Sequence, residues 1–152
     1  MELSDFHMLK NFHVTEKDIY GRLIIEDLER IEEQLMIKVD AMVSTAKEYF
    51  GSDAGQFIVH SIVAGAHTPG SKHFTGEAMD GHFAGLNLYQ AVMVALKAGF
   101  RGIGYYPWWN RLGIHVDIRS QAHTSVWASF STGAYEYDYG IVIERLLMYA
   151  DF

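Results

Sequence analysis

The chain has 152 residues with no cysteine, a formal net charge of −7 at pH 7, 49% hydrophobic residues and a mean hydropathy near zero. This length and balance suit a single globular domain over residues 1–152 that buries its own core. The acidic charge and the lack of cysteine exclude a nucleic-acid surface, disulfides and thiolate metal ligands.

The N-terminal part contains no basic segment followed by an apolar run, and nowhere do about eighteen apolar residues stand together. We therefore expect a chain that is made in the cytoplasm without a recognisable signal peptide and that does not insert into a membrane.

The first long pattern along the chain is helical. Thr15 to Asp18 has the residue types of a capping box, and apolar residues then recur at three- and four-residue steps from Ile19 to Ala46. Gly51 stands where a helix cap is expected. The spacing predicts one long helix with a break near Ile37 to Asp40, and the acidic run Glu26 to Glu33 would be its solvated face.

A buried strand is predicted next. Gln56 to Val63 is rich in β-branched residues, and His60 within it is expected at the edge of the core with one hydrogen bond. Ala64 to Gly70 contains two glycines and a proline, which predicts a loop. His67 lies in that loop.

The loop leads into the ten residues SKHFTGEAMD, from Ser71 to Asp80. His73 and Asp80 are seven positions apart, and Gly76 between them permits the unusual backbone angles that let the two side chains converge. His82 follows Asp80 at strand spacing, so it either lies beside the same site or is exposed.

Two further elements follow. Apolar spacing predicts an amphipathic helix over about Gly85 to Ala98 that ends at Gly99. Phe100 to Tyr106 reads as a glycine-containing strand, and the aromatic loop from Pro107 to Asn110 either forms a wall of a substrate groove or simply packs.

The stretch from Leu112 to Arg119 alternates strictly. Its apolar residues, Leu112, Ile114, Val116 and Ile118, would face the core, while Gly113, His115, Asp117 and Arg119 face the other side. His73, Asp80 and His115 are two imidazoles and one carboxylate, the ligand types that hold a hydrolytic Zn²⁺ and leave a fourth position for water. We predict a zinc site formed by these three residues.

The last elements are a strand over Ser125 to Thr132 and a helix over Asp138 to Ala150. The order helix, strand, loop, strand, helix, strand, strand, helix predicts an α+β domain. Its sheet should be mainly antiparallel, with the helices packed on one side.

The pattern S-x-H-x-x-G-x-A-x-D, followed by H-V-D-x-R, resembles the zinc D-alanyl-D-alanine carboxypeptidases and their phage endolysin relatives, which share a fold with hedgehog signalling domains. The resemblance covers about Gln56 to Arg119 and implies that His73, Asp80 and His115 bind zinc. It also implies a peptidoglycan stem peptide as substrate, cut next to a D-amino acid, with action at the cell wall after release.

Two positions depart from that family's pattern. Its members carry an arginine ahead of the motif that binds the substrate carboxylate, and the matching stretch from Ser61 to Ala64 has none. The family's base lies two or three residues before the last zinc-binding histidine, where this chain has Gly113 and Leu112. The missing arginine favours an endopeptidase of endolysin type over a strict carboxypeptidase.

Other site roles are assigned as expectations. Asp117 shares a strand face with His115 and is our candidate for the catalytic base, although an orienting role toward His115 is equally consistent with its position. We expect substrate contacts from four residues: His67, Ser71, Tyr106 and Arg119. Tyr105, Tyr106 and Arg119 are all candidates to stabilise an oxyanion.

Two alternatives remain at this stage. The first is a catalytically inactive zinc-binding module that binds cell wall or a protein partner, in the manner of hedgehog domains. The second reads His115 and Asp117 as part of an iron facial triad. It is disfavoured because the only later histidine, His123, is distant and no jelly-roll run of strands follows.

Overall fold

A computed structural model describes residues 1–63, 65 and 67–150. In these residues there are four α-helices: α1 (Leu3–Phe6), α2 (Glu33–Phe50), α3 (Leu88–Ala98) and α4 (Tyr139–Leu147). A 3₁₀ helix spans Ile24–Arg30. The six strands are β1 (Phe57–Ser61), β2 (Ala78–Phe83), β3 (Gly102–Tyr106), β4 (Gly113–Asp117), β5 (Ser125–Ser131) and β6 (Ala134–Glu136).

The strands form one sheet in the order β1-β2-β4-β3-β5-β6. Only β3 and β5 pair in parallel, and every other neighbouring pair is antiparallel. Helix α3 packs against β3 and β4, α4 packs against β5, and α2 packs against α3. The α+β class with a mainly antiparallel sheet is confirmed.

The sheet has a core face and a site face. Residues on the core face are fully buried against the helices, among them Met79, Ile103, Tyr105, Ile114 and Val116. Because side chains alternate along a strand, the residues between them point the other way. On that site face Asp80, His115, Gly104 and Trp127 lie opposite one another on β2, β4, β3 and β5.

Helix α3 forms where its caps predict it. The Asn87 side chain accepts from the backbone N–H of Gln90, whose side chain accepts from the backbone N–H of Asn87, so the two residues form a capping box. Gly99 ends the helix in the left-handed region at φ 85°. The helix begins three residues after the predicted Gly85, because the capping residue is Asn87.

The single long helix predicted from Ile19 to Ala46 is wrong in its first half. Asp18 Oδ1 accepts hydrogen bonds from the backbone N–H groups of Tyr20 and Arg22, and Gly21 between them has φ 82°. These bonds form a turn that competes with the helix. The interruption lies at Ile31 and Glu32, which are both extended. The predicted break near Ile37 to Asp40 is wrong too, because α2 runs through it.

The extended link at Ile31 and Glu32 is held by tertiary contacts. The backbone N–H of Glu32 donates to the carbonyl oxygen of Gly76, and a Cβ at Gly76 would overlap the carbonyl oxygen of Arg30. Gly76 also has φ 71°, so the motif needs glycine here for two reasons. The segment that delivers His73 to the site is thus packed against this link.

The remaining segments differ little from prediction. Within the loop predicted from Ala64 to Gly70, residues 65 and 67–70 have no helix or strand, while Ala64 and Ala66 lie outside the described residues. The short, largely exposed β6 was not predicted. Among the described residues, no helix combines the length and apolar character that crossing a membrane requires.

Candidate metal centre

Three side chains meet on the site face. His73 comes from the loop before β2, Asp80 lies in β2, and His115 lies directly opposite Asp80 in β4. Asp80 Oδ1 is 3.1 Å from His73 Nε2 and 3.0 Å from His115 Nδ1. The two imidazole nitrogens are 3.2 Å apart, which closes a nearly equilateral triangle.

This triangle suits zinc in both donor type and spacing. A tetrahedral zinc with ligands at about 2.0–2.1 Å has ligand atoms about 3.3 Å apart, close to the observed sides. Two nitrogens and one carboxylate oxygen leave a fourth position for water or substrate. The three residues predicted as ligands are therefore brought together in a metal-binding arrangement.

The outward nitrogen of each imidazole has a hydrogen-bond partner. His73 Nδ1 lies 2.6 Å from the carbonyl oxygen of Ile62, and His115 Nε2 lies 2.8 Å from Asp117 Oδ2. With a proton on each outward nitrogen, the lone pairs of His73 Nε2 and His115 Nδ1 point into the triangle.

Asp117 is fully buried and is held by Arg119 as well as by His115. Arg119 Nε donates to Asp117 Oδ1 at 2.8 Å, and Arg119 Nη2 donates to Oδ2 at 2.6 Å. The guanidinium lies 4.9 Å over the ring of Trp127. A Cβ at Gly102 would overlap both the Asp117 carboxylate and Arg119. Both carboxylate oxygens therefore face protein groups.

The electrostatics follow from this arrangement. Burial alone would raise the pKa of Asp80, but hydrogen bonds from His115 and His73 lower it below its usual range. The pKa of Asp117 is likewise lowered despite burial, by Arg119 and His115. Burial lowers the pKa of His115, but Asp117 and Asp80 outweigh it and raise that pKa to about 9.

His67 lies beside the same centre. Its ring is parallel to that of His73, with 3.8 Å between centroids and 5° between planes, and it is partly exposed. Ligand atoms of His67, His73 and Asp80 all lie within 4.8 Å of one another. The triangle with His115 is tighter, with sides of 3.0–3.2 Å that match ligand spacing, and His67 lies beside it.

The other predicted substrate residues contact protein groups. The Ser71 hydroxyl oxygen accepts from the backbone N–H of His73 at 3.2 Å, inside the loop that carries this ligand. The Tyr106 hydroxyl accepts from Trp127 Nε1 at 3.2 Å, and the Tyr106 ring stacks on Trp109. Burial and the nearby Asp80 raise the pKa of Tyr106.

A second histidine pair lies next to the centre. His60 Nε2 is 2.6 Å from His82 Nδ1, and His60 packs against Trp109. His60 is buried, as expected of a residue at the core edge with one hydrogen bond. Burial, and then the nearby His82, lower the pKa of His60 to about 4. His82 shares the strand face of Asp80 but bonds to His60.

Sequence reasoning missed the glycines beneath the site. Gly102 makes room for Asp117, and a Cβ at Gly104 would overlap the indole of Trp127. The signal was present: G-I-G places glycine at every second position of a strand, and hence on one face. Where glycines leave one face of a β-strand without side chains, the side chain of a neighbouring strand can pack over that face.

A family model described as peptidoglycan L,D-endopeptidase MepK, Peptidase_M15_2, matches residues 6–123, well over half of the chain. The match includes all three residues of the triangle. Searches among curated proteins and among solved structures gave no match.

Proposed function

Because the chain belongs to the Peptidase_M15_2 family of peptidoglycan L,D-endopeptidases, a zinc peptidase family, we propose that it hydrolyses a peptide bond in the peptidoglycan stem next to a D-amino acid. The observation that carries this proposal is the triangle of His73, Asp80 and His115. Zinc, when bound there, lowers the pKa of water toward about 7 and polarises a peptide carbonyl.

In this proposal Asp117 orients His115 and is not the proton acceptor. Its carboxylate is fully buried, and its two oxygens are engaged by His115 and by both ends of the Arg119 fork. A base must reach the proton that it accepts. Of the two roles that the sequence left balanced, the contacts favour the orienting one.

His67 is our candidate for the side chain that meets substrate and accepts the proton. It is partly exposed at the margin of the triangle, and its ring stacks on the ligand His73. We expect His67→Ala to lower kcat by about 10²–10⁴-fold while zinc content stays near one equivalent. Loss of zinc in this variant would instead make His67 a ligand.

We further propose an endopeptidase, in line with the family description. A carboxypeptidase must bind the free carboxylate at the end of its substrate, and the position ahead of the motif where related enzymes carry an arginine for this has none. Stem-peptide dimers joined by an L,D cross-link should therefore be better substrates than single stems that end in a free carboxylate.

The test is digestion of purified peptidoglycan and of defined cross-linked dimers by zinc-loaded protein, with products identified by mass spectrometry. New amino and carboxyl termini should appear, vanish on addition of a chelator and return with zinc. His115→Ala is the matched control, since it removes one ligand.

The competing function is a zinc-holding module that binds cell wall without cutting it. Zinc-loaded protein that sediments with peptidoglycan but releases no new termini from any of these substrates would replace the enzyme proposal with that one.

A further inference from the structure

The sheet edge beyond the metal centre carries three exposed aromatic side chains. Tyr135 in β6 and Tyr137 just after it are 44% and 69% exposed, and Trp108 in the β3–β4 loop is 42% exposed. We call these three residues the aromatic shelf. Exposed clusters of this kind commonly mark binding surfaces.

The shelf lies on the site face of the sheet. Glu136 pairs with Ala128, although the register between β5 and β6 is irregular between Ala128 and Ser131. Tyr135 and Tyr137 both lie near enough to Tyr106 to raise its pKa, and Tyr106 is on the site face of β3. The indole N–H of Trp108 donates to Ser129 Oγ at 3.0 Å, which places this ring over the same face.

A series of ring contacts joins Trp108 of the shelf to the metal centre. The rings of His115 and Trp127 are 5.2 Å apart, and Trp127 Nε1 donates to the Tyr106 hydroxyl. Tyr106 stacks on Trp109, which meets Trp108 at 6.3 Å. These largely buried rings form a packed layer from the metal centre to Trp108, and Tyr106 within that layer also lies near Tyr135 and Tyr137.

The shelf rings have the form of a stacking site. Tyr135 and Tyr137 have centroids 6.3 Å apart and planes inclined by 21°, so they present nearly parallel faces. Aromatic faces are apolar, while tyrosine hydroxyls and indole N–H groups are polar. Pyranose rings match this pattern, because they have a flat face of C–H groups bordered by hydroxyls.

We propose that the aromatic shelf binds sugar rings of the glycan strand, so that the protein acts on stem peptides still attached to glycan. This inference rests on the proposed function. Strand β6 is three strand spacings from β4, roughly 14 Å. That distance corresponds to about four extended residues, the reach expected of a stem peptide between its sugar and the bond at the metal.

The first test compares two substrates, a disaccharide-linked stem dimer and the same peptide without sugar. Wild-type protein should have the higher kcat/KM on the sugar-linked form. Tyr135→Ala and Tyr137→Ala should each reduce this preference by about 3–10-fold, chiefly through KM, with the sugar-free substrate unaffected. Tyr20→Ala is the matched control, because Tyr20 is 71% exposed on a distant turn.

The second test needs no catalysis. Zinc-loaded protein is titrated with the β-1,4-linked tetramer of N-acetylglucosamine while tryptophan fluorescence is followed. Saturable binding that is lost in Tyr137→Ala and kept in Tyr137→Phe is expected, because phenylalanine retains the ring.

Equal use of both substrates by wild-type protein, together with no oligosaccharide binding, would overturn the inference. If neither substrate is cut, the proposed function fails, and the oligosaccharide titration still decides whether the shelf binds sugar.

Discussion

Both carboxylate oxygens of Asp117 are hydrogen-bonded to His115 or Arg119, and this makes the role of Asp117 measurable. Asp117→Asn removes the negative charge between His115 and Arg119, so we expect zinc affinity to fall by about 10–100-fold. Competition with a chromogenic chelator gives this number directly. At saturating zinc most of the turnover should return. A variant that keeps full zinc affinity but loses kcat by about 10²–10⁴-fold would instead identify Asp117 as the base.

Arg119 acts through Asp117 in this geometry. Arg119→Gln should weaken zinc binding in the same direction as Asp117→Asn, because the carboxylate loses both hydrogen bonds of the guanidinium. Arg119→Lys keeps the charge but not the fork, so an intermediate affinity is expected. If Arg119→Gln raises KM while zinc affinity stays at the wild-type value, the residue binds substrate, as the sequence suggested.

His60 links stability to pH. Its pKa falls from 6.5 to about 4 on folding, because burial and the facing His82 disfavour the charged ring, while Asp80 opposes them weakly. The unfolded chain therefore binds the proton more readily between these values, and stability must decrease as the pH falls through this range. Between pH 7 and pH 4, the free energy of unfolding of chelator-treated wild-type protein should fall by up to about 2–3 kcal/mol more than that of His60→Gln. Urea unfolding of both proteins at pH 7 and at pH 4 measures this difference. An equal fall in the free energy of unfolding of the two proteins would contradict the prediction.

At the residue scale, the chemistry of the ligands was predictable and their neighbours were not. Ligand types together with the family resemblance predicted His73, Asp80 and His115 as one trio, and the structure brings their side chains together. The stack of His67 on His73 depends on the path of a glycine-containing loop. Nothing in its spacing could indicate that path.

Strand β3 shows what a glycine contributes to an element. Gly102→Ala should push against the Asp117 carboxylate and Arg119, costing about 1–3 kcal/mol of stability and weakening zinc binding. Gly104→Ala is the matched comparison on the same strand face, and its Cβ would meet Trp127 instead. It should destabilise the fold with a smaller effect on zinc. Equal zinc affinities in the two variants would contradict the inference that Gly102 affects zinc binding by making room for Asp117.

Elements with local signals were predicted, and elements set by distant contacts were not. Helix α3 has its capping box and its glycine cap in the sequence itself. The segment from Ile19 to Ile31 has helical periodicity, but Asp18 forms a turn and Gly76 binds the backbone of Glu32. Those contacts come partly from residues more than forty positions away. Periodicity shows only that one side of the segment is apolar. A 3₁₀ helix can bury that side as an α-helix does, so the pattern did not distinguish them.

For the whole molecule, zinc should be a stabilising ligand. At free zinc of about 100 times Kd, binding contributes about 2.7 kcal/mol, or about 5–10 °C in Tm for a chain of this size. Scanning calorimetry with zinc and with chelator measures the shift. Asp80→Asn should show little of this zinc-dependent shift in Tm, because a neutral amide replaces the carboxylate of the triangle. An equal shift in wild type and variant would place the ion elsewhere.

The pairing of Asp80 with His115 across β2 and β4 has a consequence for how the protein matures. These strands are neighbours in space but are separated in sequence by α3 and β3, so the binding triangle does not exist until residue 115 has left the ribosome and β4 has docked. We therefore expect metal capture only after β2 and β4 have paired. Zinc should slow unfolding far more than it speeds folding, and nascent chains that end before β4 should carry none.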